Sequence, residues 1–287
     1  MSTPRFCFVP ILDHEIHVAL WGDPSNPPLV MWHGLARTGR DFDELAAALS
    51  DTFFILCPDT IGRGLSSWSD TPEAEYSIEF YAAIAAGLLD HFEIAQTGWI
   101  GTSMGGLIAM RMASGALADR LSWMILNDIG PEIPQAAIDR ILAYADEQPT
   151  FACLSEAEAW FRAAYTPFGP ADDGFWTRMA RCSVRRRSDG TFTTHFDPRI
   201  TIQFLASAEE LTSWDRYERI RIPTHLIRGA ASDLLPAATA ARMQASGPHP
   251  GKTEIEDCGH APSLSRRQDA RLIRETITEL RARPPRR

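Results

Sequence analysis

The residues Trp99-Ile100-Gly101-Thr102-Ser103-Met104-Gly105-Gly106 decide how this sequence is interpreted. The apolar pair Trp99-Ile100 predicts a short buried strand, and residues 105–113 predict a helix directly after it. Ser103 therefore lies in a turn between a strand and a helix, with a glycine two residues to either side. Such a tight turn tolerates no Cβ at the positions two residues before and after the serine, and it holds the serine Oγ above the sheet. The pattern makes Ser103 a candidate nucleophile.

The same alternation of strand and helix continues along most of the chain. Apolar runs predict further strands at residues 6–9, 15–21, 29–32, 53–57, 122–126, 224–227 and 253–256. Helical periodicity predicts helices at residues 41–49, 77–92, 236–245 and 265–280. Because several of the strands are apolar on both faces, we expect an α/β fold with a parallel sheet covered by helices.

Residues 132–214 interrupt this alternation. They are predicted to be mostly helical and are rich in aromatic side chains. We interpret them as a helical cap inserted between two strands of one sheet, so that residues 1–131 and 215–287 form the core domain.

A serine nucleophile needs a base, and His260 is the candidate. It lies in Asp257-Cys258-Gly259-His260-Ala261-Pro262, between the last predicted strand and the last helix. Such a loop reaches the carboxyl edge of a parallel sheet, where ligands bind in open α/β folds. The acid that orients this histidine is predicted to be Asp233, which follows the strand at 224–227. Asp128, after the preceding strand, is the alternative.

An oxyanion that develops during ester cleavage needs two hydrogen-bond donors. The backbone N–H of Met104, directly after the nucleophile, is one candidate, and the backbone N–H of Leu35 is the other. Leu35 follows His33-Gly34 at the end of a predicted strand. His33 is interpreted as a structural residue that shapes this loop.

Taken together, these motifs resemble the α/β-hydrolase fold superfamily, in its serine esterase and lactonase branch with a helical cap. The resemblance rests on His33-Gly34, the segment Pro58-Asp59-Thr60-Ile61-Gly62-Arg63-Gly64-Leu65-Ser66, the turn at Ser103, Asp233 and Gly259-His260. It implies an eight-stranded, mostly parallel sheet with a helical cap inserted after the sixth strand. It also implies a catalytic triad of Ser103, Asp233 and His260.

The expected function is hydrolysis of a small-molecule carboxylic ester or lactone through an acyl-enzyme. Carbon–carbon bond hydrolases and enol-lactonases resemble this pattern equally well. A cofactor-independent oxygenase or a non-catalytic receptor on the same fold is a further alternative. A serine in place of an aspartate nucleophile argues against a haloalkane dehalogenase or an epoxide hydrolase.

Two groups of cap residues bear on substrate choice. Five aromatic residues are candidates for lining the pocket: Trp160, Phe161, Tyr165, Phe168 and Trp176. They are also candidates for the core of the cap itself. Arg181 and Arg185–Arg187 are interpreted as a solvated face, with an anionic substrate as the alternative.

Composition narrows the remaining classes. The net charge of −9 argues against nucleic acid or an anionic membrane as partner. Five scattered cysteines without a Cys-x-x-Cys pair, and an N-terminus without a signal-type apolar segment, favour a cytoplasmic protein. No motif suggests a metal or an organic cofactor, so none is expected. The sequence does not decide between a monomer and a homo-oligomer.

Overall fold

The computed structural model describes residues 3–145, 148–203 and 212–284. The strands are β1 (Arg5–Ile11), β2 (His14–Trp21), β3 (Pro28–Trp32), β4 (Phe54–Pro58), β5 (Thr97–Thr102), β6 (Leu121–Asn127), β7 (Thr150–Phe151), β8 (Val184–Arg186), β9 (Phe192–Thr194), β10 (Thr224–Gly229) and β11 (Gly251–Ile255). The helices are α1 (Asp43–Leu49), α2 (Pro72–Glu75), α3 (Ile78–His91), α4 (Met104–Ala113), α5 (Gln135–Ala145), α6 (Leu154–Ala164), α7 (Asp173–Cys182), α8 (Trp214–Tyr217), α9 (Ala237–Ala245) and α10 (Arg267–Ala282).

Eight strands form one sheet in the order β1-β2-β4-β3-β5-β6-β10-β11. The pairs β1–β2 and β2–β4 are antiparallel. All the other pairs in this order, from β4–β3 to β10–β11, are parallel. The predicted eight-stranded, mostly parallel sheet of the α/β-hydrolase fold is therefore confirmed. Because the strands from β4 to β11 run in one direction, their carboxyl ends meet at one edge.

Helices cover both faces of the sheet, and β3 shows why. Val30 and Trp32 face one apolar core together with α3 and α4, whereas Leu29 and Met31 face the other with α1 and α10. Consecutive strand residues point to opposite faces, so a strand buried on both sides must be apolar throughout. In the described ranges, no helix has the length and apolar character needed to cross a membrane.

The segment between β6 and β10 contains more than helices. Three short strands form an antiparallel sheet in the order β7-β9-β8, alongside α5, α6 and α7. The turn between β8 and β9 is held by Asp189, whose Oδ1 accepts from the N–H of Thr191 at 2.9 Å. Strands of two or three residues are too short to show alternation in sequence, so a mostly helical segment was expected here. Its assignment as a separate cap domain remains a prediction.

Three buried histidines stay neutral in the folded protein. Burial lowers the pKa of His33 to about 4, that of His195 to about 3 and that of His225 to about 4. In the unfolded chain the same side chains have a pKa of about 6.5. Between these values the unfolded chain binds protons that the folded protein does not.

We expect the free energy of unfolding to fall when the pH is lowered from 7 to 5. The contribution of these histidines is complete above pH about 6.5 and is lost towards the folded-state pKa, by about 1.4 kcal/mol per pH unit for each histidine. Urea unfolding at pH 7, 6 and 5 measures the slope. His225→Gln should reduce this slope by the contribution of about one proton, about 1.4 kcal/mol per pH unit. His91→Gln, at an exposed position, should leave the slope unchanged. Identical slopes in the wild type, His225→Gln and His91→Gln would contradict the lowered pKa of His225 in the folded protein.

Candidate active site

Ser103 lies between β5 and α4 with a backbone φ of 52°. A positive φ is strained for a residue with a Cβ, and strain of this kind is found where a functional geometry requires it. The Ser103 N–H donates to the carbonyl of Asn127 at 3.0 Å, and the Ser103 carbonyl accepts from the N–H of Gly106 at 2.8 Å. These bonds fix the turn that the sequence predicts.

The glycines beside Ser103 allow contacts that a Cβ would prevent. A Cβ on Gly101 would lie 2.3 Å from the carbonyl oxygen of Gly105, and a Cβ on Gly105 would lie 2.1 Å from the carbonyl oxygen of Trp32. Because both obstacles are backbone atoms, they cannot move aside. The predicted requirement for residues without a Cβ is thereby confirmed.

His260 lies in the loop between β11 and α10, and its imidazole bridges two side chains. Its Nε2 is 2.9 Å from Ser103 Oγ, and its Nδ1 is 2.8 Å from Asp128 Oδ2. An ionised carboxylate only accepts hydrogen bonds, so the proton of the neutral ring is placed on Nδ1. Nε2 is then the acceptor for the Ser103 hydroxyl, which is the arrangement that a general base needs.

The loop that carries His260 is anchored from two directions. Asn127 Nδ2 donates to the carbonyl of Pro262 at 2.9 Å. From the segment between β6 and β10, the carbonyl of Pro167 accepts from the N–H of Gly259 at 2.7 Å. The position of the imidazole therefore depends both on the main sheet and on this segment.

Asp128 is fully buried directly after β6. Its Oδ1 accepts from the N–H of Gly229 at 2.9 Å, and its Oδ2 accepts from Ser232 Oγ at 2.6 Å as well as from His260. A carboxylate with three donors is held in one orientation, because each donor satisfies a lone pair that burial removes from water.

Strand pairing explains why Asp128 reaches the imidazole. In the parallel pair β5–β6, Thr102 is the partner of Asn127. Ser103 and Asp128 are the next residues on each strand, so they leave the sheet side by side at its carboxyl edge. Asp128 has a positive φ of 58°, which turns the chain away directly after the strand.

The prediction that Asp233 contacts His260 is wrong. Asp233 pairs instead with Arg140 of α5, with Nε 2.8 Å from Oδ2, and its side chain is 52 % exposed. The reason is a difference of one residue: in the turn after β10, Ser232 directs its hydroxyl towards Asp128, and the next side chain points outward. The alternative acid, Asp128, occupies the position beside the imidazole.

The two backbone amides predicted as oxyanion donors are those of Leu35 and Met104. The carbonyl of Gly34 accepts from His33 Nδ1 at 2.7 Å and from the N–H of Arg37 at 3.2 Å. Because the peptide is trans, the N–H of Leu35 points the opposite way. Met104 is the first residue of α4, so its N–H has no acceptor within the helix. Within the described residues, neither N–H donates a hydrogen bond to the protein.

The loop that carries Leu35 is held by two buried side chains. His33 Nε2 accepts from the N–H of Thr60 at 2.9 Å, which completes the hydrogen bonds of a neutral ring. Arg63 Nε donates to the carbonyl of Leu35 at 2.8 Å, and its Nη2 approaches Met104 Sδ at 3.6 Å. The structural role predicted for His33 is confirmed, and Arg63 contacts both oxyanion candidates, which the sequence did not reveal.

A cavity of about 720 Å³ opens over Ser103 and His260. Leu35, Arg37 and Arg140 contribute to its walls. Of the predicted aromatic residues, two line it: Tyr165 and Phe168. The other three do not line it, although they pack in the same aromatic cluster as Tyr165 and Phe168, so the lining role predicted for them is wrong: Trp160, Phe161 and Trp176. Phe175 also lines the cavity and was missed.

The four arginines predicted as a solvated face, or alternatively as an anion site, are Arg181 and Arg185–Arg187. Arg181 and Arg185 line a different cavity of about 540 Å³. Arg186 stacks over Phe192 at 4.2 Å, and Arg187 donates to Thr150 Oγ1 at 2.8 Å. None of the four lines the Ser103 cavity. As far as the structure describes the chain, no group of three His, Cys, Asp or Glu side chains is arranged to hold a metal ion.

Known proteins share this architecture. The Alpha/beta hydrolase family matches residues 29–272. The chain is 35 % identical to the 3-hydroxybutyrate-oligomer hydrolase of Cupriavidus necator over 278 residues, which is 92 % of this chain and 94 % of the relative. It is 26 % identical over 160 residues to 3-oxoadipate enol-lactonase 2 of Acinetobacter baylyi, covering 55 % and 58 %. An alpha/beta hydrolase from Novosphingobium aromaticivorans superposes with a TM-score of 0.84 at 28 % identity, over 97 % of this chain and 99 % of that one.

Proposed function

Because this chain belongs to the Alpha/beta hydrolase family, we propose that it is a serine hydrolase of carboxylic esters. Ser103 is the nucleophile, His260 is the general base and Asp128 orients the imidazole. The observation that carries this proposal is the continuous path of hydrogen bonds from Ser103 Oγ through His260 to Asp128, at 2.9 and 2.8 Å. The acid in this proposal is Asp128 and not Asp233.

Acylation follows from this geometry. Ser103 Oγ attacks the ester carbonyl carbon while His260 Nε2 takes its proton, and Asp128 stabilises the imidazolium that forms. The carbonyl oxygen becomes an oxyanion that accepts from the N–H groups of Leu35 and Met104. Each such donor contributes about 10²- to 10³-fold to the rate in serine hydrolases. The imidazolium then gives its proton to the leaving alcohol, and an acyl-enzyme remains.

Deacylation repeats the same steps with water. His260 Nε2 takes a proton from a water molecule, whose oxygen attacks the acyl carbon, and the same amides hold the oxyanion. Collapse breaks the bond to Ser103 Oγ, which recovers its proton. The products are a carboxylic acid and an alcohol, and no cofactor takes part in these steps.

The proposed substrate class is based on the relative from Cupriavidus necator, which aligns with 92 % of this chain. That relative is named as a hydrolase of 3-hydroxybutyrate oligomers, in which each hydroxyacid is linked to the next by an ester. We propose a short ester of this kind as substrate here. A cavity walled by Leu35, Tyr165, Phe168 and Phe175 supplies apolar surface for a small aliphatic chain.

We also propose that residues 132–214 act as a cap over the site. Tyr165 and Phe168 of this segment line the cavity, and Pro167 binds the loop of His260. The segment thus supplies one wall of the cavity and part of the support for the base.

A fluorophosphonate probe tests the proposal. It should label the purified protein once, with the label mapped by peptide mass spectrometry to Ser103, and p-nitrophenyl esters of short acyl chains should be hydrolysed. An enol-lactone belongs in the same panel, since one relative is an enol-lactonase. Turnover of the lactone alone would favour that activity. If the protein is not labelled and hydrolyses no ester or lactone, the proposal is overturned in favour of carbon–carbon hydrolysis, an oxygenase or a receptor.

A further inference from the structure

Arg37 is a buried arginine in the wall of the Ser103 cavity, only 3 % exposed. Its side chain begins close to the nucleophile. A Cβ placed on Gly34 would lie 3.5 Å from Ser103 Cβ and 4.0 Å from Arg37 Cγ. The stem of Arg37 and the side chain of Ser103 therefore flank the same glycine, and the guanidinium is within reach of a molecule bound at Ser103.

One of the three nitrogens of this guanidinium has no acceptor. Nε and Nη2 donate to the two carboxylate oxygens of Asp41, at 2.8 and 2.7 Å. Nη1 is buried without a hydrogen-bond partner among the described residues. The ring of Tyr165 lies 4.8 Å from the guanidinium carbon and supports the group from one face. Asp41 thus holds one edge of the planar group, and Nη1 at the other end is buried without an acceptor.

The guanidinium stays charged in this environment. Burial lowers the pKa of Arg37, but the Asp41 carboxylate outweighs burial and holds that pKa above its usual value. A buried charged donor without an acceptor is costly, so a ligand acceptor at Nη1 would be favourable. A carboxylate fits best, because its two oxygens match the spacing of two guanidinium N–H groups.

We propose that Arg37 binds a free carboxylate of the substrate, and that the natural substrates are esters whose alcohol portion ends in a carboxylate. This inference rests on the proposed function. Arg140, which also lines the cavity, adds a second positive group whose partner Asp233 is half exposed.

The position of the carboxylate has a consequence for the bond that is cleaved. In a linear hydroxyacid oligomer, the free carboxylate is always on the alcohol side of each ester bond. When Ser103 Oγ bonds to the carbonyl carbon, the bond from that carbon to the alkoxy oxygen breaks, and the oxygen takes the proton from His260. The leaving alcohol is then the hydroxyacid held by Arg37, so the chain is shortened by one unit from its carboxyl end.

The experiment compares the dimer of 3-hydroxybutyrate as the free acid and as its methyl ester. For the wild-type protein we expect kcat/KM to be at least about tenfold higher for the acid, since charge-assisted bonds contribute more than neutral ones. The double variant Arg37→Gln/Asp41→Asn removes both charges without leaving a buried carboxylate unpaired, and it should lower the acid-to-ester ratio towards one, with Arg140 as the remaining positive group. Asp41→Asn alone leaves the arginine charge uncompensated and should raise that ratio.

Arg178→Gln is the matched control, because Arg178 is also largely buried and paired, with Glu44, but does not line this cavity. Its ratio should equal that of the wild type. A trimer with an isotopic label in its carboxyl-terminal unit should first release labelled monomer. Equal wild-type efficiencies, an unchanged ratio in the double variant or labelled dimer as first product would overturn this inference alone. Absence of all ester turnover and fluorophosphonate labelling would instead overturn the proposed function.

Discussion

Ser103→Ala should reduce the hydrolysis of p-nitrophenyl butyrate by about 10⁴-fold or more, because removal of a serine nucleophile eliminates the acyl-enzyme route. The oxyanion donors are backbone amides and remain in place. Residual activity should therefore come from transition-state binding alone, without a covalent intermediate. Steady-state rates and the disappearance of fluorophosphonate labelling measure this effect.

A serine elsewhere in the sheet provides the control. Ser122 lies on β6, and its hydroxyl donates to the carbonyl of Thr97 at 3.1 Å, away from the cavity. Ser122→Ala should retain labelling and turnover. If Ser103→Ala kept its activity while Ser122→Ala lost it, Ser103 would not be the nucleophile. Matching thermal unfolding curves would show that neither variant acts through loss of the fold.

Asp128→Asn should lower kcat by about 10⁴-fold, the loss found when the acid of a serine triad is neutralised. The physical reason is the tautomer of His260. An asparagine amide can donate to Nδ1, which places the ring proton on Nε2 and leaves no acceptor for the Ser103 hydroxyl. The carbonyl oxygen of the asparagine could still accept from Gly229, so a folded variant is expected.

Asp233→Asn is the matched variant, with the same chemical change in the neighbouring loop. Because Asp233 pairs with Arg140 at the surface, its kcat should remain within about twofold of the wild type, as for most exposed ion pairs. A large loss in Asp233→Asn and a small one in Asp128→Asn would reverse the assignment of the acid. The pH profile of kcat/KM for each variant distinguishes an altered base from an altered fold.

The parts of the site that follow from local geometry could be predicted from the sequence. The glycines around Ser103 are required by backbone contacts within a few residues, and His260 follows the last strand. Asp233 could not be excluded in this way. In the loop after β10, Ser232 points inward and the next residue, Asp233, points outward, and the sequence does not show which of two adjacent residues faces the site. The pairing of β5 with β6 would have favoured Asp128, since it places Ser103 and Asp128 side by side.

The lining of the cavity could be predicted only in part. Which aromatic side chains of α6 and α7 line the cavity depends on tertiary contacts: Phe161, Trp176 and Phe175 are all buried in one cluster, but only Phe175 of these three lines the cavity. Arg37 gave no signal either, because an arginine after a glycine-containing loop is ordinary on a protein surface. Its burial and its unpaired Nη1 become visible only when the chain is folded.

Because the proposed acid, Asp128, comes directly after β6, the turn after β10 supplies a supporting hydrogen bond and no acid. Ser232 supports Asp128 from this turn, whereas the residue that follows pairs with Arg140, which lines the cavity. Two adjacent residues of this turn therefore contact different groups: Ser232 contacts the proposed acid, and Asp233 contacts an arginine of the cavity wall. We therefore expect a substitution at position 233 to change the pairing of Arg140 in the cavity wall and to leave the hydrogen bonds of Asp128 in place.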